Sequence, residues 1–138
     1  MDAFVADASI AVAWVHPAQA TRKSAAWLDR IALGAEVVVP ALWPLEVSNA
    51  LLVLQRRRKI TLRERQQALE LLRAVPFVID PDAAGNAFAG LSALATAESL
   101  SVYDACYLDV AMRHQLPLAC KDGPLRRAAV RKGIRVDE

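Results

Sequence analysis

Long apolar runs, cysteines and a strong charge of one sign are all scarce in this chain, and each scarcity excludes a class of protein. Glu36, Pro40, Pro44 and Glu46 interrupt the most apolar stretch, which therefore falls short of the roughly 20 residues that a membrane span requires. The two cysteines match neither a disulfide framework nor a zinc-binding spacing, and they suit a reducing compartment. The amino-terminal segment lacks the basic and apolar regions of a signal peptide. We therefore expect a cytoplasmic protein with no membrane association.

What the chain does contain is enough apolar material for one folded domain. Its 138 residues are 55% hydrophobic, which fits a single domain spanning residues 1–138 with a buried core. The net charge is only +2, but the basic residues are unevenly distributed. They cluster at residues 56–59 and again at Arg126, Arg127, Arg131 and Lys132. Local clusters of this kind matter more for binding an anionic partner than the total charge does.

Short, continuous apolar runs predict buried strands. The clearest are Ala3–Ala6, Val37–Val39 and Phe77–Ile79, which do not alternate with polar residues and so fit a parallel sheet covered on both faces. Weaker candidates near a sheet edge are Leu116–Cys120 and Ile134–Val136. Six helical patterns lie between the strands, at residues 18–33, 44–59, 61–75, 82–98, 101–114 and 124–132. The alternation predicts an α/β fold, a single three-layer domain with a mainly parallel central sheet of about five strands flanked by helices.

Four carboxylates stand at strand ends or helix beginnings. Asp7 and Asp122 directly follow predicted strands, and Glu46 and Asp104 lie in the first turns of predicted helices. Binding sites of open α/β sheets lie beyond the carboxyl ends of the strands, so we expect these four side chains on one rim. Asn49 is three residues after Glu46 and shares its helical face.

Each acid alone also has a purely structural explanation. Asp7 and Asp122 could cap the helices that follow them, and Glu46 and Asp104 could complement a helix dipole. Together they point to a cation, because two carboxylates about 4 Å apart repel by roughly 4 kcal/mol at an effective dielectric near 20. Oxygen ligands without histidine or cysteine favour Mg²⁺ or Mn²⁺ over zinc.

Four segments resemble, in order and spacing, the motifs of the PIN domains, and within them the VapC-type toxins of toxin–antitoxin pairs. They are Phe4–Ser9, Pro40–Asn49, Ser101–Tyr107 and Leu118–Asp122. The third, with its Asp followed by Ala and then Tyr, is the most specific. One departure is Cys120, where the family usually has Thr or Ser. A thiol is a weaker hydrogen-bond donor than a hydroxyl, so Cys120 is expected to support the fourth acid less strongly than Thr or Ser would.

The resemblance implies a Mg²⁺- or Mn²⁺-dependent endoribonuclease. Bound cations would activate a water and stabilise charge on the phosphate. The predicted catalytic and metal-binding residues are Asp7, Glu46 and Asp104, with Asp122 behind them, and Ser9 and Asn49 as orienting groups around them.

The resemblance also implies three partners: an RNA substrate, a small cognate antitoxin and a second copy of the chain in a homodimer. The helices from Pro44 to Val75 are the predicted site of an apolar groove for the antitoxin. Arg56, Arg57 and Arg58 are candidate RNA contacts, although a basic helix end is also an ordinary solvated surface.

Two other functions compete with the nuclease. A phosphoacceptor receiver domain shares the size and the Asp after the first strand, but Asp7 has alanines on both sides where paired acids are needed. A binding module with this fold and no activity is the second, and the intact acids at all four motif positions argue against it.

Overall fold

The structure is a computed structural model that describes residues 2–137 of the chain. Four strands form one sheet: β1 Ala3–Ala6, β2 Glu36–Pro40, β3 Phe77–Asp80 and β4 Leu118–Ala119. Seven α-helices accompany them: α1 Ala8–Val15, α2 Arg22–Ala32, α3 Leu42–Arg56, α4 Leu62–Arg73, α5 Ser92–Glu98, α6 Val102–His114 and α7 Pro124–Arg131. The predicted α/β fold and its parallel sheet are confirmed.

The strand order is β3-β2-β1-β4, and every neighbouring pair is parallel. From β1 the chain steps to β2 and then β3 in one direction, and it then returns to place β4 on the other side of β1. Right-handed crossovers in opposite directions put their helices on opposite faces of a sheet. Accordingly, α1 to α4 pack on one another, while α6 crosses β1, β2 and β4 and packs against α5 and α7.

The core lies between these layers and explains why the apolar runs form strands. Phe4, Val5 and Val37 are fully buried, and Trp27 and Trp43 fill the space under the helices. Strand β3 is different, because it is an edge strand and its apolar side chains remain partly exposed.

The predicted fifth strand is wrong. Residues 134–136 form no strand, although the Leu118 amide donates one hydrogen bond of 2.9 Å to the Arg135 carbonyl. A two-residue β4 offers too short a partner for a further ladder, so the sheet has four strands within residues 2–137 rather than about five.

Two predicted helices also have different bounds. The pattern at residues 18–33 becomes a 3₁₀ turn, Pro17–Gln19, followed by α2, because Thr21 caps the later start through Ser24. The pattern at 82–98 is broken into a 3₁₀ turn, a π-helical turn Ala87–Leu91 and the short α5. The Gly90 amide there donates to the Asn86 side chain instead of continuing a regular helix.

Candidate active site

The carboxyl ends of β1 and β4 form the floor of the candidate site. After β1 the chain continues to β2 on one side, whereas β4 lies on the other side of β1. The strand order therefore reverses between β1 and β4, and this boundary is the switch point of the sheet. Ala6 pairs with Ala119, and the Asp7 amide donates to the Ala119 carbonyl at 3.1 Å. This pairing puts Asp7 beside Cys120, the residue that follows β4.

Asp7 has two roles in the structure. As the N-cap of α1, its Oδ1 accepts from the Ile10 amide at 3.0 Å, and the Ser9 hydroxyl donates to its two oxygens at 2.8 and 2.9 Å. The structural explanation of Asp7 as a helix cap is therefore correct as far as it goes. No cationic side chain of residues 2–137 forms an ion pair with it, so its charge has only neutral donors for support.

The surroundings of Asp7 raise the pKa of its carboxyl group. Burial raises the pKa of Asp7 to about 6, because a carboxylate removed from water is stabilised in its neutral form. The hydrogen bonds from Ile10 and Ser9 oppose that rise in pKa, and the negative charges of Asp104 and Glu46 add to it. Burial also raises the pKa of Asp104. A carboxylate with a raised pKa, beside two more acids, is typical of a functional site.

Helices α3 and α6 bring Glu46 and Asp104 to this rim. Glu46 is in the second turn of α3, and the indole of Trp43 on the same helix donates to the Asp7 carbonyl at 3.4 Å, which ties α3 to the end of β1. Asp104 is in the first turn of α6, where its amide donates to the Ser101 hydroxyl at 3.0 Å. Both acids are near enough to Asp7 for their negative charges to raise its pKa.

Tyr107 is a site residue whose role the sequence reasoning missed. It is buried, and its hydroxyl donates to Glu46 Oε1 at 2.7 Å, which fixes that carboxylate. Burial raises the pKa of the phenol, and the hydrogen bond to Glu46 raises that pKa further. The signal was available, because Tyr107 is three residues after Asp104 and so lies on the same face of the helix.

Cys120 stands where the family has a hydroxyl. Burial raises the pKa of its thiol to about 12, and the charge of Asp7 contributes to the same rise. At neutral pH the thiol is therefore protonated, and it serves neither as a thiolate ligand nor as a nucleophile.

Asp122 lies at the margin of the site. Its side chain is 87% exposed and pairs with Arg126 Nε at 3.3 Å. It does not cap α7, whose N-cap is Gly123.

The predicted orienting groups border an open groove of about 440 Å³ between α1 and α3. Ser9, Glu46 and Asn49 line it together with the apolar side chains of Val53 and Leu54, among others. By contrast, Arg56, Arg57 and Arg58 are at the far end of α3, about 15 Å along the helix from Glu46 at 1.5 Å per residue.

The carboxylate oxygens of Asp7, Glu46 and Asp104 are of the type that binds a hard cation, although their spacing does not form a complete coordination sphere. Within residues 2–137, no three His, Cys, Asp or Glu side chains converge closely enough to hold one ion. Asp7 nonetheless carries a partly buried charge that forms no ion pair within residues 2–137, and the negative charges of Asp104 and Glu46 act on it. A divalent cation would relieve that repulsion, with oxygen ligands of the kind that Mg²⁺ and Mn²⁺ prefer.

The sequence profile of the PIN domain matches residues 4–131. The chain belongs to the PIN domain family. PIN domains are generally nucleases that typically use divalent metals, and this family membership excludes the receiver-domain alternative. No characterised protein in the curated set matches the sequence significantly.

Solved structures agree on the PIN fold. FitAcB from Neisseria gonorrhoeae is similar at 18% identity with a TM-score of 0.62, covering 98% of this chain and 96% of that one. PAE2754 from Pyrobaculum aerophilum is similar at 20% identity with a TM-score of 0.59, covering 92% of this chain and 84% of that one. None of the helices in residues 2–137 is long and apolar enough to span a membrane.

Proposed function

We propose that this PIN domain is a Mg²⁺- or Mn²⁺-dependent endoribonuclease and the toxin of a toxin–antitoxin pair. The observation that carries the proposal is Asp7, a largely buried carboxylate whose charge is coupled to Asp104 and Glu46 at the switch point of the sheet. Cleavage of cellular RNA would take place in the cytoplasm, and the two free, buried cysteines accord with a reducing compartment.

Each site residue has a task in this proposal. When bound, the cation would activate a water and offset the charge that develops on the phosphate. Asp7, Glu46 and Asp104 would hold it. Ser9 donates to Asp7 and keeps the carboxylate oriented, as Tyr107 does for Glu46. Asp122 would have to turn from Arg126 toward the rim to take part, which its exposure permits.

A cleavage assay tests the proposal. Purified protein should cut RNA in Mg²⁺ or Mn²⁺, and excess EDTA should stop the reaction. Cleavage that continues undiminished in the chelator would overturn the metal mechanism. RNA binding without cleavage in either ion would instead favour the inactive binding module.

The antitoxin is proposed to occupy the groove between α1 and α3. The groove is lined mainly by apolar atoms, and Glu46 and Ser9 lie in its wall, so a partner seated there would cover the acids. This groove includes α3, the first of the two helices between Pro44 and Val75 on which the sequence predicted an antitoxin groove. Expression of the protein should arrest growth, and co-expression of a short reading frame beside its gene should restore growth. Arrest that persists with that product present would argue against the partner.

A homodimer is proposed through the free edge of β3. Phe77, Val78 and Ile79 are 37%, 45% and 43% exposed in three successive positions. An apolar edge strand with unpaired backbone groups is a template for pairing with another strand, and two copies related by a two-fold axis would cover it on both sides.

A further inference from the structure

A cleft of about 500 Å³ opens beside the acidic site, on the β4 side of the domain. Three basic residues line it: Arg22 and Lys23 from the first turn of α2, and Lys121, two residues after the end of β4. Cys120 and Asp122 line the same cleft. We call this surface the basic cleft.

The basic cleft and the acidic site share a wall. The Asp7 amide donates to the Ala119 carbonyl at 3.1 Å, so the end of β1 and the end of β4 are joined. Cys120, the next residue along, faces the basic cleft. A ligand lying in the cleft would therefore pass directly to the carboxylates at the switch point.

Two of the positive charges in the basic cleft are not neutralised by acids in the described residues. Lys121 Nζ donates to the side-chain oxygen of Gln19 at 3.4 Å, a neutral partner. Arg22 is exposed and forms no ion pair within residues 2–137. Gln19 also lines the groove between α1 and α3, so Lys121 stands between the two depressions that flank the site.

The remaining charges around the basic cleft largely cancel. Lys23 lies 3.7 Å from Asp137, and Arg126 pairs with Asp122 at 3.3 Å and with Asp137 at 3.1 Å. The charge of Asp122 at the mouth of the cleft is thus paired with that of Arg126, and the excess of positive charge comes from Arg22 and Lys121.

We propose that the basic cleft binds the phosphate backbone of the RNA, with Arg22 and Lys121 holding phosphates that neighbour the one to be cut. The inference rests on the proposed function and deepens it. An RNA that approaches three carboxylates is repelled by them, and positive charge beside those carboxylates offsets the repulsion and orients the strand. Arg56, Arg57 and Arg58 lie about 15 Å along α3 from Glu46, so they contact a different part of any strand.

The test measures the binding of a fluorescently labelled, single-stranded RNA of mixed sequence to the intact protein in EDTA, at several salt concentrations. The variants are Arg22→Gln, Lys121→Gln and the double substitution. Arg135→Gln is the matched control, because Arg135 is also exposed and lines a cavity at the opposite, amino-terminal end of β1. Arg22 and Arg135 are exposed and Lys121 is partly exposed, so each variant should fold, and thermal melts check this.

The expected result is a smaller slope of log affinity against log salt, by about 0.7 for each lost contact and about 1.4 for the double variant. The control should keep the slope of the parent. In the cleavage assay the double variant should raise KM with little change in kcat, because a phosphate contact away from the reacting atoms binds substrate and transition state alike.

An unchanged slope in the double variant overturns the inference, and so does an equal loss in Arg135→Gln, which would indicate a general effect of net charge. Failure of the proposed function gives a different result from failure of the basic cleft. A parent protein that binds RNA through Arg22 and Lys121 but cuts nothing with either ion would contradict the nuclease and leave the basic cleft in place.

Discussion

At the scale of single residues, Asp7 is where stability and chemistry conflict. The folded protein holds the Asp7 proton more tightly than an unfolded chain does, because burial raises the pKa from 3.8 to about 6. Stability is therefore lost as the pH rises from about 4 to above 6. The cost at neutral pH is at most about 3 kcal/mol, at 1.36 kcal/mol for each unit of pKa.

Asp7→Asn should remove this cost and abolish cleavage. Asparagine caps a helix nearly as well as aspartate, so the variant should match the parent near pH 4 and exceed its unfolding free energy near pH 7 in EDTA. Mn²⁺ should raise the melting temperature of the parent more than that of the variant. Denaturant titrations and melts measure both effects. A variant that cuts RNA at the parental rate would remove Asp7 from the mechanism.

Tyr107→Phe should separate the positioning of Glu46 from the stability of the core. Phenylalanine fills the same buried space, so the loss of one hydrogen bond should cost about 1 kcal/mol of stability. Metal affinity should fall by roughly 10- to 100-fold, the usual effect of losing a group that orients a ligand. Tyr103→Phe is the control, because Tyr103 lies on the same helix and is 64% exposed. Calorimetric titration with Mn²⁺ measures the difference, and equal affinities in both variants would contradict the role of Tyr107.

At the scale of elements, one ion-pair cluster joins the end of β3 to the end of α6. Arg113 donates to both oxygens of Asp80 at 2.9 and 3.0 Å and to Asp109 at 2.9 Å, and His114 Nε2 lies 2.6 Å from Asp80. The Arg113 guanidinium holds the pKa of Asp80 well below its usual range. Because only 2% of the Asp80 side chain is exposed, its charge depends on these partners.

Arg113→Met should cost about 3 kcal/mol at pH 7, since it leaves a buried carboxylate without its guanidinium. A depressed folded-state pKa stabilises the protein above the unfolded pKa near 4 and loses that effect as the pH falls below it. The difference between parent and variant should therefore shrink under acid conditions. Arg73→Met is the control, because Arg73 and Glu70 form a pair that is 79% and 74% exposed, and it should cost well under 1 kcal/mol. Equal losses in the two variants at pH 7 would contradict the structural role of the cluster.

The elements also show what could be predicted from the sequence. β1 has the predicted bounds, and α4 begins where the pattern at residues 61–75 predicted a helix, opened by a capping box of Thr61 and Glu64, because local apolar runs and local hydrogen bonds define such features. The fifth strand and the helix at residues 82–98 were wrong, since pairing partners and the glycine-containing turns at 84–91 depend on tertiary context. Asp104 and Glu46 act electrostatically on Asp7, while the prediction that these acids hold a cation together stays a prediction. The pairing of Asp122 with Arg126 was not foreseen, although the two are four residues apart.

At the scale of the whole molecule, the proposed homodimer depends on the free edge of β3. Val78→Lys places a charge on the apolar edge and should convert a dimer to a monomer, because charged residues block edge-to-edge pairing. Val130→Lys is the matched control, since Val130 is 58% exposed on α7. Light scattering over a range of protein concentrations measures the mass. A parent that stays monomeric at high concentration, or a dimer that survives Val78→Lys, would refute this interface.

The order of the strands has a consequence for the synthesis of the protein. The floor of the site joins the first strand of the chain to the last, so the segment that carries Cys120 and Asp122 must pair with β1 before the rim is complete. During translation the first three strands leave the ribosome well before β4 does. A nascent chain therefore carries Asp7 and Glu46 without the wall that supports them. In the proposed nuclease, RNA near the translating ribosome would be spared until β4 has been made and has paired with β1, because the activity cannot precede the closing of the sheet.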